Sequence, residues 1–132
     1  MHQFDLRVYY EDIDLAGIVY YANYLKFIER GRSEWVRALG VDQVALKADQ
    51  GLVFAVRRVE ADYLRPARFG DDLLVETSLL SIGGVRLVVE QVILRGGERL
   101  FVALVTLVCL TEDGHAARMP ADLRARLAGP LH

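Results

Sequence analysis

Tyr10-Glu11-Asp12-Ile13-Asp14-Leu15-Ala16-Gly17-Ile18-Val19-Tyr20-Tyr21-Ala22-Asn23-Tyr24 is the run on which the fold turns. Upstream of it, Phe4, Leu6, Val8 and Tyr10 alternate with Asp5, Arg7 and Tyr9, the two-residue period of a half-buried strand. Downstream, Tyr24, Phe27, Ile28, Gly31, Trp35, Ala38 and Leu39 recur at three- and four-residue steps, with Lys26, Arg30, Ser33, Glu34 and Arg37 opposite. That is one buried stripe on a long helix, and Gly40 is placed to stop it. The run therefore leads from a strand, through an acidic turn and past a glycine, into a helix start. A carboxylate comes to lie a few residues upstream of backbone N–H groups that have no helical partners. Such groups can hold an oxyanion while the carboxylate drives attack on the neighbouring carbon. Gly31 costs the helix about 1 kcal/mol relative to Ala. A close approach of helix to sheet would offset that cost.

The remainder reads as sheet. Leu52 to Leu64 is a strand that Pro66 ends, because proline has no N–H for a ladder. Asp72 to Ile82 follows, then the turn Gly83-Gly84, Val85 to Arg95, the turn Gly96-Gly97, and Arg99 to Thr111, closed by Asp113-Gly114. The last strand is apolar on both alternations, so both of its faces are expected to be covered. Ala121 to Ala128 is expected to form a short helix. The predicted fold is α+β, one domain over 1–132, with an antiparallel sheet of about five strands wrapped around the long helix. One helix cannot cover that much apolar sheet, so part of it is expected to be buried against another subunit.

Composition narrows the function. The chain has 132 residues, 53% hydrophobic and 26% charged, which fits a packed core rather than disorder. A net charge of -2 gives no basic field for nucleic acid. The apolar run Leu100–Leu110 is too short to span a bilayer, and Met1-His2-Gln3-Phe4-Asp5 has no signal-peptide character, so the expected location is the cytoplasm. The single cysteine, Cys109, sits in an apolar strand and reads as a core residue. His2, His115 and His132 lie at the ends or in a turn, and no zinc-hydrolase or serine-esterase motif is present.

Glu11, Asp12 and Asp14 have an ordinary reading as a solvated turn with a capping aspartate. A divalent metal would need more oxygen ligands at set spacing, and none follows; no metal and no cofactor are expected. The next residues, Leu15, Ile18, Val19, Tyr20, Tyr21 and Tyr24, are apolar or aromatic. A carboxylate at the edge of such a patch is expected to be partly desolvated and so more reactive. Gly17 lets backbone or substrate come close.

This run, followed by Phe27-Ile28-Glu29-Arg30, resembles the signature of the 4-hydroxybenzoyl-CoA thioesterase-like branch of hotdog-fold enzymes, and within it the Tol-Pal-associated acyl-CoA thioesterases. Val59 to Asp72, with Tyr63-Leu64-Arg65-Pro66-Ala67-Arg68-Phe69-Gly70-Asp71, and Arg118-Met119-Pro120 also resemble that family. The resemblance implies hydrolysis of an acyl-CoA to free acid and CoA. It places the catalytic carboxylate at Asp14, as nucleophile or general base, and the oxyanion donor at the backbone N–H of Tyr21. Many Tol-Pal-associated relatives carry His where this chain has Tyr21, a change that a backbone role tolerates. Gly17, Ile18, Val19, Tyr20 and Tyr24 are the expected acyl-pocket residues. Arg57, Arg58, Arg65, Arg68 and Arg86 are candidates for the CoA phosphates. Relatives often have a basic residue near the turn that Gly83-Gly84 forms here, where the nearest is Arg86. The surplus of apolar sheet leads to the expectation of a homotetramer, a dimer of hotdog dimers with the active site at a subunit boundary. Hotdog hydratases need a histidine in the motif, and this one has none. The alternative is a non-catalytic hotdog module that binds acyl carrier protein or an envelope-associated complex.

Overall fold

The structure is a computed structural model that describes residues 1–129; His132 lies outside the described residues. Five strands make one antiparallel sheet: β1 (His2–Arg7), β2 (Leu52–Tyr63), β3 (Asp72–Ile82), β4 (Arg86–Arg95) and β5 (Glu98–Thr111), in the order β1-β3-β4-β5-β2. The two double-glycine turns join β3 to β4 and β4 to β5, as their positions predict. The alternation of β1 continues inward as far as Val8, which is buried. Tyr10 departs from it, starting a 3-10 turn over Tyr10–Asp12 and standing exposed.

The long helix, α1 (Asn23–Ala38), buries Tyr24, Phe27, Ile28, Gly31, Trp35 and Val36. Val36 takes the place expected for Ala38, which is exposed. The predicted close approach occurs at Gly31: a Cβ there would stand 2.6 Å from Cγ1 of Val75 on β3. The helix packs so near the sheet that only hydrogen fits, and the packing offsets the helical cost of glycine. Val75, Leu87, Val89, Phe101 and Val105 complete the core under α1, with Cys109 among them.

One element differs from the sequence reading. An unanticipated helix, α2 (Gln43–Gln50), follows Gly40, with the Asp42 carboxylate accepting from the N–H groups of Val44 and Ala45. It buries only Leu46, so no periodic stripe announces it. On β5 the two faces differ in their cover within one chain. Phe101, Ala103, Val105, Leu107 and Cys109 on one face are buried, but Val102, Leu104, Val108 and Leu110 on the other are half-exposed. Leu100 at the start of the strand is buried as well, but beyond it the core cluster draws on the first face alone, so one chain covers one face of β5. The short helix α3 (Ala121–Ala128) forms where predicted and buries Leu123 and Leu127. No helix among the described residues is long and apolar enough to cross a membrane.

Candidate active site

The two aspartates of the motif do different things. Asp12 is 5% exposed, and its carboxylate accepts from the Tyr9 N–H at 2.8 Å and from Nδ2 of Asn23 at 2.9 Å. It fastens the 3-10 turn to the first residue of α1, a charge-assisted pair of bonds with a structural role. Asp14 faces solvent. Its Oδ1 accepts from the Ala16 N–H at 2.8 Å, its carbonyl from the Gly17 N–H at 3.0 Å, and its own N–H donates to the Ile18 carbonyl at 2.9 Å. These bonds close a tight turn in which Gly17 takes φ +79, the left-handed region where glycine carries no Cβ penalty. The turn projects outward, so the expected desolvation of Asp14 is absent within a single chain.

Beyond the turn the chain runs back as an extended segment. Ile13 bridges to Val19, and Ile18 bridges to Arg68. The Val19 N–H donates to the Ala67 carbonyl at 2.8 Å, and the Tyr20 N–H to the Asp12 carbonyl at 3.0 Å. Tyr21 and Ala22 then lead into α1. Among the described residues, neither of their N–H groups has an acceptor. These are free donors at the positive end of a helix dipole. The Tyr21 carbonyl is held as well, accepting from the Tyr63 hydroxyl at 2.9 Å.

A cleft of about 350 Å³ opens beside this helix mouth. Ile18, Val19, Tyr21 and Tyr24 line it together with the 63–66 segment that leaves β2. Tyr24 is a wall of the cleft and part of the core: its ring stacks on Phe101 with centroids 5.2 Å apart, and its hydroxyl accepts from the Ala67 N–H at 3.0 Å. Burial pushes the pKa of that hydroxyl up, so it stays neutral in ordinary conditions. The 66–71 loop has its own clamp. Arg95 Nη1 donates to Asp71 at 2.7 Å and to the Pro66 carbonyl at 3.2 Å, while Asp71 accepts from the Arg68 N–H at 2.8 Å. Burial raises the pKa of Asp71, but the Arg68 N–H and the Arg95 guanidinium outweigh it and hold the carboxyl below its usual range.

Residues 16–102 match the thioesterase superfamily. This chain belongs to that superfamily. The acyl-CoA thioesterase YbgC of Haemophilus influenzae is 40% identical over 107 residues, which is 81% of this chain and 79% of that protein. The crystal structure of a probable thioesterase from Bartonella henselae has a TM-score of 0.85 at 39% identity, covering 90% of this chain and 98% of that one. A 4-hydroxybenzoyl CoA thioesterase complexed with 4-hydroxybenzoyl CoA has a TM-score of 0.86 at 23% identity, covering 93% and 97% of the two chains. That likeness shows the shared hotdog fold.

Within this thioesterase the predicted residues separate into groups. The structure brings Ile18, Val19, Tyr21, Tyr24 and Arg65 to one cleft. Tyr20 is not on its wall; it stands exposed beside Tyr21 with ring centroids 4.9 Å apart. Arg65 pairs with Glu98 and Arg58 with Glu60, while Arg57, Arg68 and Arg86 make no ion pair among the described residues. Arg86 begins β4 and Arg95 ends it, a separation of about 30 Å along a strand at ~3.3 Å per residue. One chain therefore does not bring Arg86 to this cleft. Arg57 and Arg58 lie mid-strand on β2, about 17–20 Å from Tyr63 by the same measure. Tyr63, Leu64 and Pro66 also line the cleft, and sequence reasoning did not single them out; their one sign was a place in the Tyr63-Leu64-Arg65-Pro66 run.

Proposed function

We propose that this chain hydrolyses acyl-CoA thioesters to free acid and CoA, with Asp14 and the backbone N–H of Tyr21 as the working groups. The observation that carries the reading is the free Tyr21 N–H at the mouth of α1, on the wall of an apolar cleft. The Asp14 turn is bonded into the same extended segment. The thioester carbonyl oxygen sits against the N–H groups of the helix start. As the carbonyl carbon becomes tetrahedral, negative charge grows on that oxygen, and a fixed donor there is worth about 2.7–4 kcal/mol. Asp14 either attacks the carbon, giving a mixed anhydride that water then opens, or takes a proton from the attacking water. In both routes the C–S bond breaks and CoA leaves as a thiolate, a good leaving group that needs no strong general acid. Cys109 is buried and its pKa is raised by that burial, so the chain offers no competing thiolate nucleophile.

Arg65, on the cleft wall, is the first candidate for the CoA phosphates, with Arg68, Arg57, Arg58 and Arg86 behind it. An acyl carrier protein presents the same thioester and is the alternative donor. The test is thiol release from a panel of acyl-CoAs, short aliphatic to long-chain and 4-hydroxybenzoyl, with acyl carrier protein thioesters alongside. Asp14→Asn is expected to abolish most turnover while melting temperature holds. Full activity in that variant would discard Asp14.

A further inference from the structure

Across the turn Gly96-Gly97, the last residue of β4 and the first of β5 face each other as a register pair, Arg95 and Glu98. The turn makes an ion pair of them: Nη2 of Arg95 donates to Oε1 of Glu98 at 2.9 Å. The other oxygen, Oε2, stands 3.1 Å from Nε of Arg65, the cation on the cleft wall. Glu98 is therefore shared by two arginines, one on each oxygen.

The two arginines are held unequally. Arg95 also donates to Asp71 and to the Pro66 carbonyl, and its side chain is 32% exposed. Arg65 has Glu98 as its only ion-pair partner among the described residues, and its side chain is 66% exposed. A pair so open to water is weak and separates readily. The Arg65 backbone does not follow its side chain, because the N–H donates to the Leu100 carbonyl at 3.1 Å. When the guanidinium swings toward a ligand, Glu98 stays behind, fastened through Arg95 to the 66–71 loop. A fixed negative charge then remains beside the cation. It lies within a Debye length of any anion that Arg65 holds, and it opposes that anion.

We propose that Glu98 is a positioning residue that sets the affinity for CoA: it competes with the CoA phosphates for Arg65 and keeps the released product loosely bound. The proposal rests on the acyl-CoA reading above. Glu98→Gln keeps the side-chain length and an acceptor oxygen for Arg95, and removes the charge.

The test is calorimetric titration of CoA into the intact protein at low, fixed salt. Binding of CoA needs no turnover, whereas thiol release tests the hydrolysis, so the two readings fail separately. Glu98→Gln is expected to bind CoA roughly two- to five-fold more tightly than wild type. The gain should shrink as salt rises. In an Arg65→Gln background the same change should give no gain, a coupling that a merely structural role for Glu98 would not produce. Glu98→Asp, which withdraws the charge from Arg65 by one methylene, should give a smaller gain, and it serves if Glu98→Gln fails to fold. Equal or weaker CoA binding by both Glu98 variants overturns the proposal. So does a gain that survives in the Arg65→Gln background, or a wild-type protein that does not bind CoA.

Discussion

Asp12 and Asp14 are two positions apart and have opposite fates. Asp12 turns inward and is consumed by Tyr9 and Asn23; Asp14 keeps a free carboxylate oxygen in solvent. The spacing of the acids, the apolar run after them and the family likeness all direct attention to Asp14. They do not reveal Tyr63, because its bond to the Tyr21 carbonyl joins residues 42 apart in sequence. That bond holds the backbone of Tyr21, which lines the cleft, so on the proposed mechanism Tyr63 is a positioning residue. Tyr63→Phe keeps the ring packing on Tyr24 and Phe101 and removes only the hydroxyl. One hydrogen bond of about 0.5–1.5 kcal/mol corresponds to a fall in kcat of roughly two- to ten-fold. KM is expected to hold, since substrate binding keeps its walls. A change confined to KM would make Tyr63 a binding residue instead.

The join between α1 and the sheet is where element-scale packing is tightest. Gly31 lets the helix backbone reach Val75, and an added methyl would stand 2.6 Å from Cγ1 and 3.1 Å from Cβ of that residue. Gly31→Ala gains about 1 kcal/mol of helix propensity but overpacks the contact at a cost of about 1–3 kcal/mol. The expected result is a net loss of stability, read by denaturant unfolding. Val75→Ala in the same chain should recover part of it, since the new methyl then fills the space vacated. Purely additive losses would show that another contact is responsible. The glycine was legible as an anomaly in a helical stripe; its partner was not. α2 shows the reverse limit, for its cap at Asp42 is a clear sign but eight residues with one buried side chain make too weak a pattern.

At the scale of the whole molecule, loops from distant parts of the chain are pinned to one another by few bonds. The Asp71–Arg95 pair holds the 66–71 loop, and that loop accepts the Val19 N–H that leads to Tyr21. The folded state holds the Asp71 carboxyl below its ordinary value of 3.8. The pair therefore contributes stability above that pH, and the contribution is lost as pH falls through the folded value. Asp71→Asn is expected to lower the melting temperature near neutrality, with the gap from wild type closing in acid below about pH 4. A gap that is constant across pH would mean the charge is not the cause. The apolar outer face of β5 and the open edge of β2, with Val56, Val59 and Tyr63 exposed, support assembly with further copies. Light scattering is expected to give a tetramer mass, a dimer of dimers. A monomer mass would remove that proposal.

The sequence by itself determined the strands, the long helix and the acidic motif, because two-residue and 3.6-residue hydrophobic periods and double-glycine turns are local signals that need no partner. The resemblance carried by that one continuous run also nominated Asp14 and Tyr21 as the proposed working groups. Only the tertiary structure decided that Asp12 is buried, that Tyr63 braces Tyr21, that Arg86 lies far from the cleft and that Glu98 joins Arg65 to Arg95. Each of these depends on which strands become neighbours and on how closely α1 meets them, and no local pattern encodes a contact between residues dozens of positions apart.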